Sequence, residues 1–153
     1  MSQSLQEFLT TAIPKAANDL VTALHSLPED KRNWSPMGAA RTALDMVAEC
    51  ATMNDISVFV ETRAFPADFD YPAIVRSRAE LAKDPVALIA LLHESAARAV
   101  ATIQTVPAED LNIEVPMPWG MFTLAQIMAY PYWNMSYHEG QINYIASMLT
   151  HHE

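Results

Sequence analysis

The residues best equipped for chemistry are gathered in Trp133-Asn134-Met135-Ser136-Tyr137-His138-Glu139-Gly140-Gln141-Ile142. At about 100° per residue, Asn134, His138 and Gln141 fall within roughly 60° of one another on a helix. They share that side with Ile127, Ile142, Ile145 and Leu149. Polar groups aimed at an apolar stripe are costly unless hydrogen bonds satisfy them or they bind something. His138 therefore has two readings: a core histidine held by hydrogen bonds, or a ligand or acid–base group. Asn134, one turn earlier, is at the spacing from which two side chains reach a common ion. Pro131 lies on the same side, and its missing N–H leaves the carbonyl of Ile127 without its usual partner. Tyr130, Tyr132, Trp133 and Tyr137 give the helix an aromatic wall, whose Tyr130, Trp133 and Tyr137, with Gln141, are candidates to line a pocket.

Other candidates carry less. Cys50 reads as a small core residue in an apolar helix, with a reactive thiol as the alternative. His25 and His93 read as surface or helix-end residues, and His151 and His152 fall in a terminal tail expected to fray. No glycine-rich phosphate loop, Ser-His-Asp set or nucleotide fingerprint is present.

The elements that would position these groups are helices. Only three glycines occur in 153 residues, and apolar residues recur three and four apart over long stretches. Ser4-Leu5-Gln6-Glu7 has the form of a capping box opening a helix from about Ser4 to Ser26, with Pro14 inside as an expected kink. A second helix is expected over about Ala39 to Glu61, with Leu44, Val47, Ala48, Ala51 and Val58 on its apolar stripe. The proline-bearing segment from Phe65 to Ala82 has room for a short helix around Ala73 to Arg78. Asp84-Pro85 starts a third long helix that runs to about Thr105 and buries Leu88, Leu91, Leu92, Ala96 and Ile103. Leu111-Asn112-Ile113-Glu114-Val115 alternates and reads as extended. Thr123-Leu124-Ala125-Gln126 offers a second capping box, opening a fourth helix to about Leu149. The fold expected is all-α, a four-helix bundle in a single domain over residues 1–153.

Composition removes several classes of function. The formal charge is −9, and the nine lysines and arginines form no cluster, so a nucleic-acid partner is not expected. No uninterrupted apolar run approaches the roughly 20 residues of a membrane span, and no membrane partner is expected. Met1-Ser2-Gln3-Ser4-Leu5-Gln6-Glu7 lacks a basic signal-peptide region, so the expected location is cytoplasmic. A lone cysteine excludes an intrachain disulfide and zinc sites built from several cysteines.

Three stretches together resemble a known family. Ser136-Tyr137-His138-Glu139-Gly140-Gln141-Ile142-Asn143-Tyr144-Ile145 is similar to the final-helix signature of the DinB-like superfamily. Leu24-His25-Ser26-Leu27-Pro28-Glu29-Asp30 with Trp34-Ser35-Pro36 resembles its first loop, and Ala43-Leu44-Asp45-Met46-Val47-Ala48 its second helix. The resemblance implies a bacterial four-helix bundle, often a homodimer, and in many members a divalent metal on three histidines. It also implies thiol-dependent isomerases and transferases among the relatives. The family's second-helix histidine falls on Glu49, and its two last-helix histidines on Asn134 and His138. This chain keeps one of the three.

Glu49 and His138 are competent ligands for zinc, nickel or manganese, whereas Asn134 offers only a weak carbonyl oxygen. Two outcomes stay open: a weakly bound divalent ion on Glu49, Asn134 and His138, or a metal-free cluster in which these groups satisfy one another. Glu49 has a third reading, since periodicity places it roughly 140° from Leu44, beside Asp45 and Thr52, where it would be solvated. Its inward placement is implied by the resemblance. The function expected is a DinB-like protein with a degenerate metal site that binds a small molecule or a protein partner. The alternative is a metal- or thiol-dependent transferase or isomerase acting on a small molecule.

Overall fold

The computed structural model describes residues 3–150, so His151 and His152 lie outside the described residues. Helix α1 (Leu5–Ser26) opens on the expected capping box: the Glu7 N–H donates to Ser4 Oγ and the Ser4 N–H to a Glu7 carboxylate oxygen. It runs through Pro14 without a break. A single 3-10 turn (Glu29–Lys31) follows.

Helix α2 (Ala43–Met53) begins four residues later than the apolar pattern suggests, because Thr42 is its cap and accepts from the Asp45 N–H. It also ends early. Asn54 turns its side chain inward to Ser95, and Asp55 accepts from both the N–H and the hydroxyl of Ser57. Such side chain–backbone bonds compete with the helical ladder. The single helix expected over Ala39–Glu61 is therefore two, with α3 (Ser57–Thr62) starting afresh. Its phase is reset: Val58, expected on the buried stripe, is half-buried and Val60 is buried instead.

Helix α4 (Tyr71–Leu81) is longer than the short helix expected around Ala73 to Arg78, because Asp70 accepts from the Ala73 N–H and Pro72 occupies the first turn. Helix α5 (Pro85–Gln104) starts at the Asp84-Pro85 signal. It buries Leu88, Leu92, Ala96, Ala99 and Ile103, while Leu91 is only half-buried. By length and composition alone α5 is apolar enough to cross a membrane; in this fold its buried stripe packs on neighbouring helices.

The alternating stretch before α6 is more structured than a plain extended segment. A 3-10 turn (Ala108–Asn112) takes its first half. Strands β1 (Glu114–Met117) and β2 (Gly120–Thr123) then form an antiparallel hairpin with Val115 opposite Phe122 and Met117 opposite Gly120. Gly120 has φ +137°, a conformation other residues rarely adopt, so it fits where the chain leaves the two-residue Pro118-Trp119 turn. Helix α6 (Leu124–Leu149) opens on the Thr123/Gln126 capping box and continues through Pro131.

The long helices make a four-helix bundle. α1 packs on α5 and α6, and α2 packs on α5 and α6, so neighbours run α1, α5, α2, α6 around one core. The seam between α2 and α6 is the least extensive of these four contacts, and α4 and the hairpin lie near it. There the polar residues gather.

Candidate functional site

Glu49 is the centre of that seam. It is one turn past Asp45 on α2, and its side chain is 17% exposed, neither solvated nor in the apolar stripe. One carboxylate oxygen faces His138 Nε2 at 3.3 Å. The other accepts from Arg41 Nη1 and, at 3.3 Å, from Arg78 Nη1. Arg41 reaches it from just before the Thr42 cap of α2, its Nε also pairing with Asp45, so positions 41, 45 and 49 form an i, i+4, i+8 ladder that runs from the helix entry along α2. Arg78 arrives from α4, buried at 6% exposure, with its Nε donating to Thr52 Oγ1 at 3.1 Å.

The charges nearly cancel. Two guanidinium groups meet the carboxylates of Glu49 and Asp45. The hydrogen bond from His138 and the guanidinium of Arg41 hold the Glu49 carboxyl down at about 2, against the opposing effect of burial. At neutral pH Glu49 is a fixed anion, too weak a base to take a proton from a substrate.

His138 is buried, and oxygens face both ring nitrogens: Gln141 Oε1 lies 2.7 Å from Nδ1 and Glu49 Oε1 3.3 Å from Nε2. A protonated ring donates to both. A neutral ring donates from Nε2 to Glu49 and accepts from the Gln141 amide, turned to present its NH₂. Tyr137 packs edge-on against the imidazole at 5.3 Å between centroids. Asn134, also buried, does not join this group. Its amide nitrogen is directed at Cys50 Sγ, 3.7 Å away. Cys50 itself is fully buried, and burial pushes its thiol well above the ordinary range, the opposite of what a reactive thiolate needs.

The structure thus brings together Glu49, His138 and Gln141, and leaves Asn134 beside them with a different partner. The four pocket candidates divide. Tyr137 and Gln141 face a groove with Arg41, Met46 and Tyr144. Tyr130 and Trp133 face a separate apolar cavity that begins at Met53, one turn past Glu49 on α2. Trp133 bridges the two, stacking on Tyr137 at 5.4 Å and tilted against Tyr130 at 5.9 Å.

Arg41 and Arg78 were the residues that motif spacing did not single out. The Arg41-Asp45-Glu49 ladder was readable as an i, i+4 charge pattern. Arg78 carried no such sign, because it meets Glu49 across 29 positions of sequence.

The donor set offers little to a divalent ion. No group of three or more His, Cys, Asp or Glu side chains converges as a metal cage among the described residues. One Glu49 oxygen is already taken by two guanidinium groups, whose positive charge opposes a cation at that place. The Asn134 amide faces a sulfur. The remaining donors, Glu49 Oε1 and His138 Nε2, are two where a stable zinc site uses three or four. The residues present do not fit a tightly held metal.

Comparison with known proteins agrees on the fold. The sequence model of the DinB superfamily matches residues 12–142. Among solved structures, the chain is similar to YfiT from Bacillus subtilis, described as a probable metal-dependent hydrolase with an unusual four-helix bundle topology. The TM-score is 0.79 at 16% identity, covering 97% of this chain and 90% of that one. No curated protein matches the sequence.

Proposed function

The chain belongs to the DinB superfamily, and we propose that it is a member in which a charge-balanced side-chain cluster stands where the family resemblance places metal ligands. Its activity on this reading is the binding of a small molecule beside that cluster. The observation that carries it is the saturation of Glu49: Arg41, Arg78 and His138 all bond the carboxylate that a metal would need. Removing such partners from a half-buried anion is costly, so a cation must displace them rather than fill a vacancy.

Elemental analysis of the purified protein is the direct test. The expected result is far less than one equivalent of zinc, nickel or manganese per chain. Near-stoichiometric metal that disappears in His138→Ala would overturn the reading. It would favour the second one, a metal-dependent enzyme, which the approach of Glu49 Oε1 to His138 Nε2 and the likeness to YfiT support. A homodimer belongs to the same proposal. Tyr144 and Met148 on α6 and Met37 in the loop before α2 leave apolar surface exposed along one groove, and light scattering at micromolar concentration distinguishes one chain from two.

A further inference from the structure

The apolar cavity that starts at Met53 has no part in the polar cluster. It has a volume of about 560 Å³, within the range of small-molecule sites. Seven rings line it from four separate stretches: Phe59, Phe65, Phe69, Trp119, Phe122, Tyr130 and Trp133. Phe65 is the hub, 4.8 Å from Phe69, 6.0 Å from Phe59 and 5.7 Å from Trp119, the last nearly perpendicular. These are the tilted and edge-to-face arrangements that aromatic quadrupoles prefer, and a further flat ring extends the same pattern.

The walls are held in place. Arg63, in the left-handed conformation that ends α3, pairs with Asp110 of the 3-10 turn at 3.0 Å. This ties the start of the Phe65–Phe69 segment to the chain that leads into the hairpin. At the other side Asp55 pairs with Arg98 of α5 across the α2–α3 break.

The lining holds no lysine, arginine, aspartate, glutamate or histidine. Its polar groups are the Gln126 amide, the Tyr130 hydroxyl and the indole N–H groups of Trp119 and Trp133. Burial, reinforced by the negative charge of Glu49, keeps Tyr130 protonated up to about 12. A charged ligand would lose its hydration here with nothing to replace it. Water is a poor occupant as well, since an ordered water needs two to four polar partners.

We propose that this cavity binds an uncharged, flat aromatic molecule of about two or three rings, with at most one hydrogen-bonding group, directed at Tyr130. The concavity selects a compact molecule over a peptide. The rings select a flat one over an alkyl chain. The inference names the ligand class for the small-molecule reading above and rests on it, but not on the metal content of the polar cluster.

The test is titration with N-phenyl-1-naphthylamine, an uncharged fluorescent probe, followed by energy transfer from Trp119 and Trp133. Saturable binding of one probe per chain is expected. Ala129→Trp, which places a ring in the cavity from α6, should weaken it about tenfold or more, because a close-packed space does not accept both. Trp119→Ala at the exposed hairpin turn should weaken it by about threefold through loss of one wall. Tyr144→Ser, in the other groove, should leave it unchanged. The sulfonated analogue 1-anilinonaphthalene-8-sulfonate should bind about tenfold more weakly, for want of a counter-charge.

The proposal is overturned if the probe fails to saturate, or if it binds equally well to a folded Ala129→Trp chain, with circular dichroism as the check on folding. Should Ala129→Trp not fold, unchanged affinity in Trp119→Ala decides against it. Equal binding of the sulfonate, tighter binding of oleate, or a dimer by light scattering that excludes the probe also decides against it. A protein found full of zinc that still binds the probe would remove only the reading of the polar cluster. A metal-poor protein that does not bind the probe would remove only this one.

Discussion

Two neighbouring parts of the α2–α6 seam differ in what their side chains have left to offer. Around Glu49 and His138 nearly every donor and acceptor is used internally: two guanidinium groups and an imidazole bond one carboxylate, and the imidazole also meets an amide. One turn away, around Met53, Tyr130 and Trp133, the walls are rings and methyl groups facing empty space. The first region is rigid in composition, because Glu49 is shared by Arg41, Arg78 and His138 and any change to it strands several groups at once. The second has unmet contact capacity. A buried polar network resists substitution and ligands alike, whereas an apolar cavity tolerates substitution and gains from being filled.

The largest effect should come from breaking the polar side at its centre. Glu49→Ala leaves Arg78 buried with its charge unpaired, and removing one partner of a buried pair costs about 3–5 kcal/mol. Urea unfolding should show a loss of that order, partly restored in Glu49→Ala/Arg78→Met, where both charges are gone. A loss below about 1 kcal/mol would mean that Arg78 finds water and that the cluster is solvated after all.

Acid should loosen the same region. With its folded pKa lowered from 4.5 to about 2, Glu49 contributes stability that is complete above about pH 4.5 and is lost as pH falls toward 2. A shift of that size corresponds to at most about 3 kcal/mol. Comparing the chain with Glu49→Gln between pH 5 and 2 isolates this share: the difference in stability should shrink as pH falls. A difference that stays constant would sink the assignment of Glu49 as the anion of the cluster.

His138→Ala is expected to cost about 1–3 kcal/mol, since it leaves Gln141 and one Glu49 oxygen without their partner. Combined with Glu49→Ala, the two losses should fall short of additive by about 0.5 kcal/mol or more. Additivity within error would show that the two side chains do not interact in solution.

How much of this was legible beforehand follows from the range of the forces involved. Capping boxes at Ser4 and Thr123 and the Asp84-Pro85 start are local, and each began a helix where the sequence placed it. The Asp55–Ser57 bonds at the break are local too, but apolar periodicity continued across them, while the bond of Asn54 to Ser95 reaches another helix. The turn of Glu49 toward His138 ran against its position on the helical wheel, which suggested solvent; the DinB-like resemblance placed it inward. The wheel could not anticipate Arg78, whose charge comes from another helix. The cavity was equally hidden: Phe65, Phe69 and Trp119 lie in irregular segments without periodicity, and only tertiary structure shows that their rings converge. Tyr130 and Trp133 were readable as an aromatic wall, but not which of the two neighbouring spaces each would face.

The smallest expected effect sharpens the contrast from the apolar side. Trp119 is 61% exposed at the hairpin turn, and its ring meets Phe65 edge-on at the rim of the cavity. Trp119→Ser removes a large aromatic side chain, a change that in a packed core costs several kcal/mol. Here most of the ring already faces water or the cavity, so few contacts are lost, and stability should change by no more than about 0.5 kcal/mol. The hairpin should persist, since its register rests on the backbone pairing of Val115 with Phe122 and on Gly120 at the turn. Thermal unfolding followed by circular dichroism measures this directly. A loss above about 1 kcal/mol would show that Trp119 is a packed part of the core. The space beneath it would then be closed in solution rather than open to a ligand, and the two sides of the seam would be alike in having nothing left to offer.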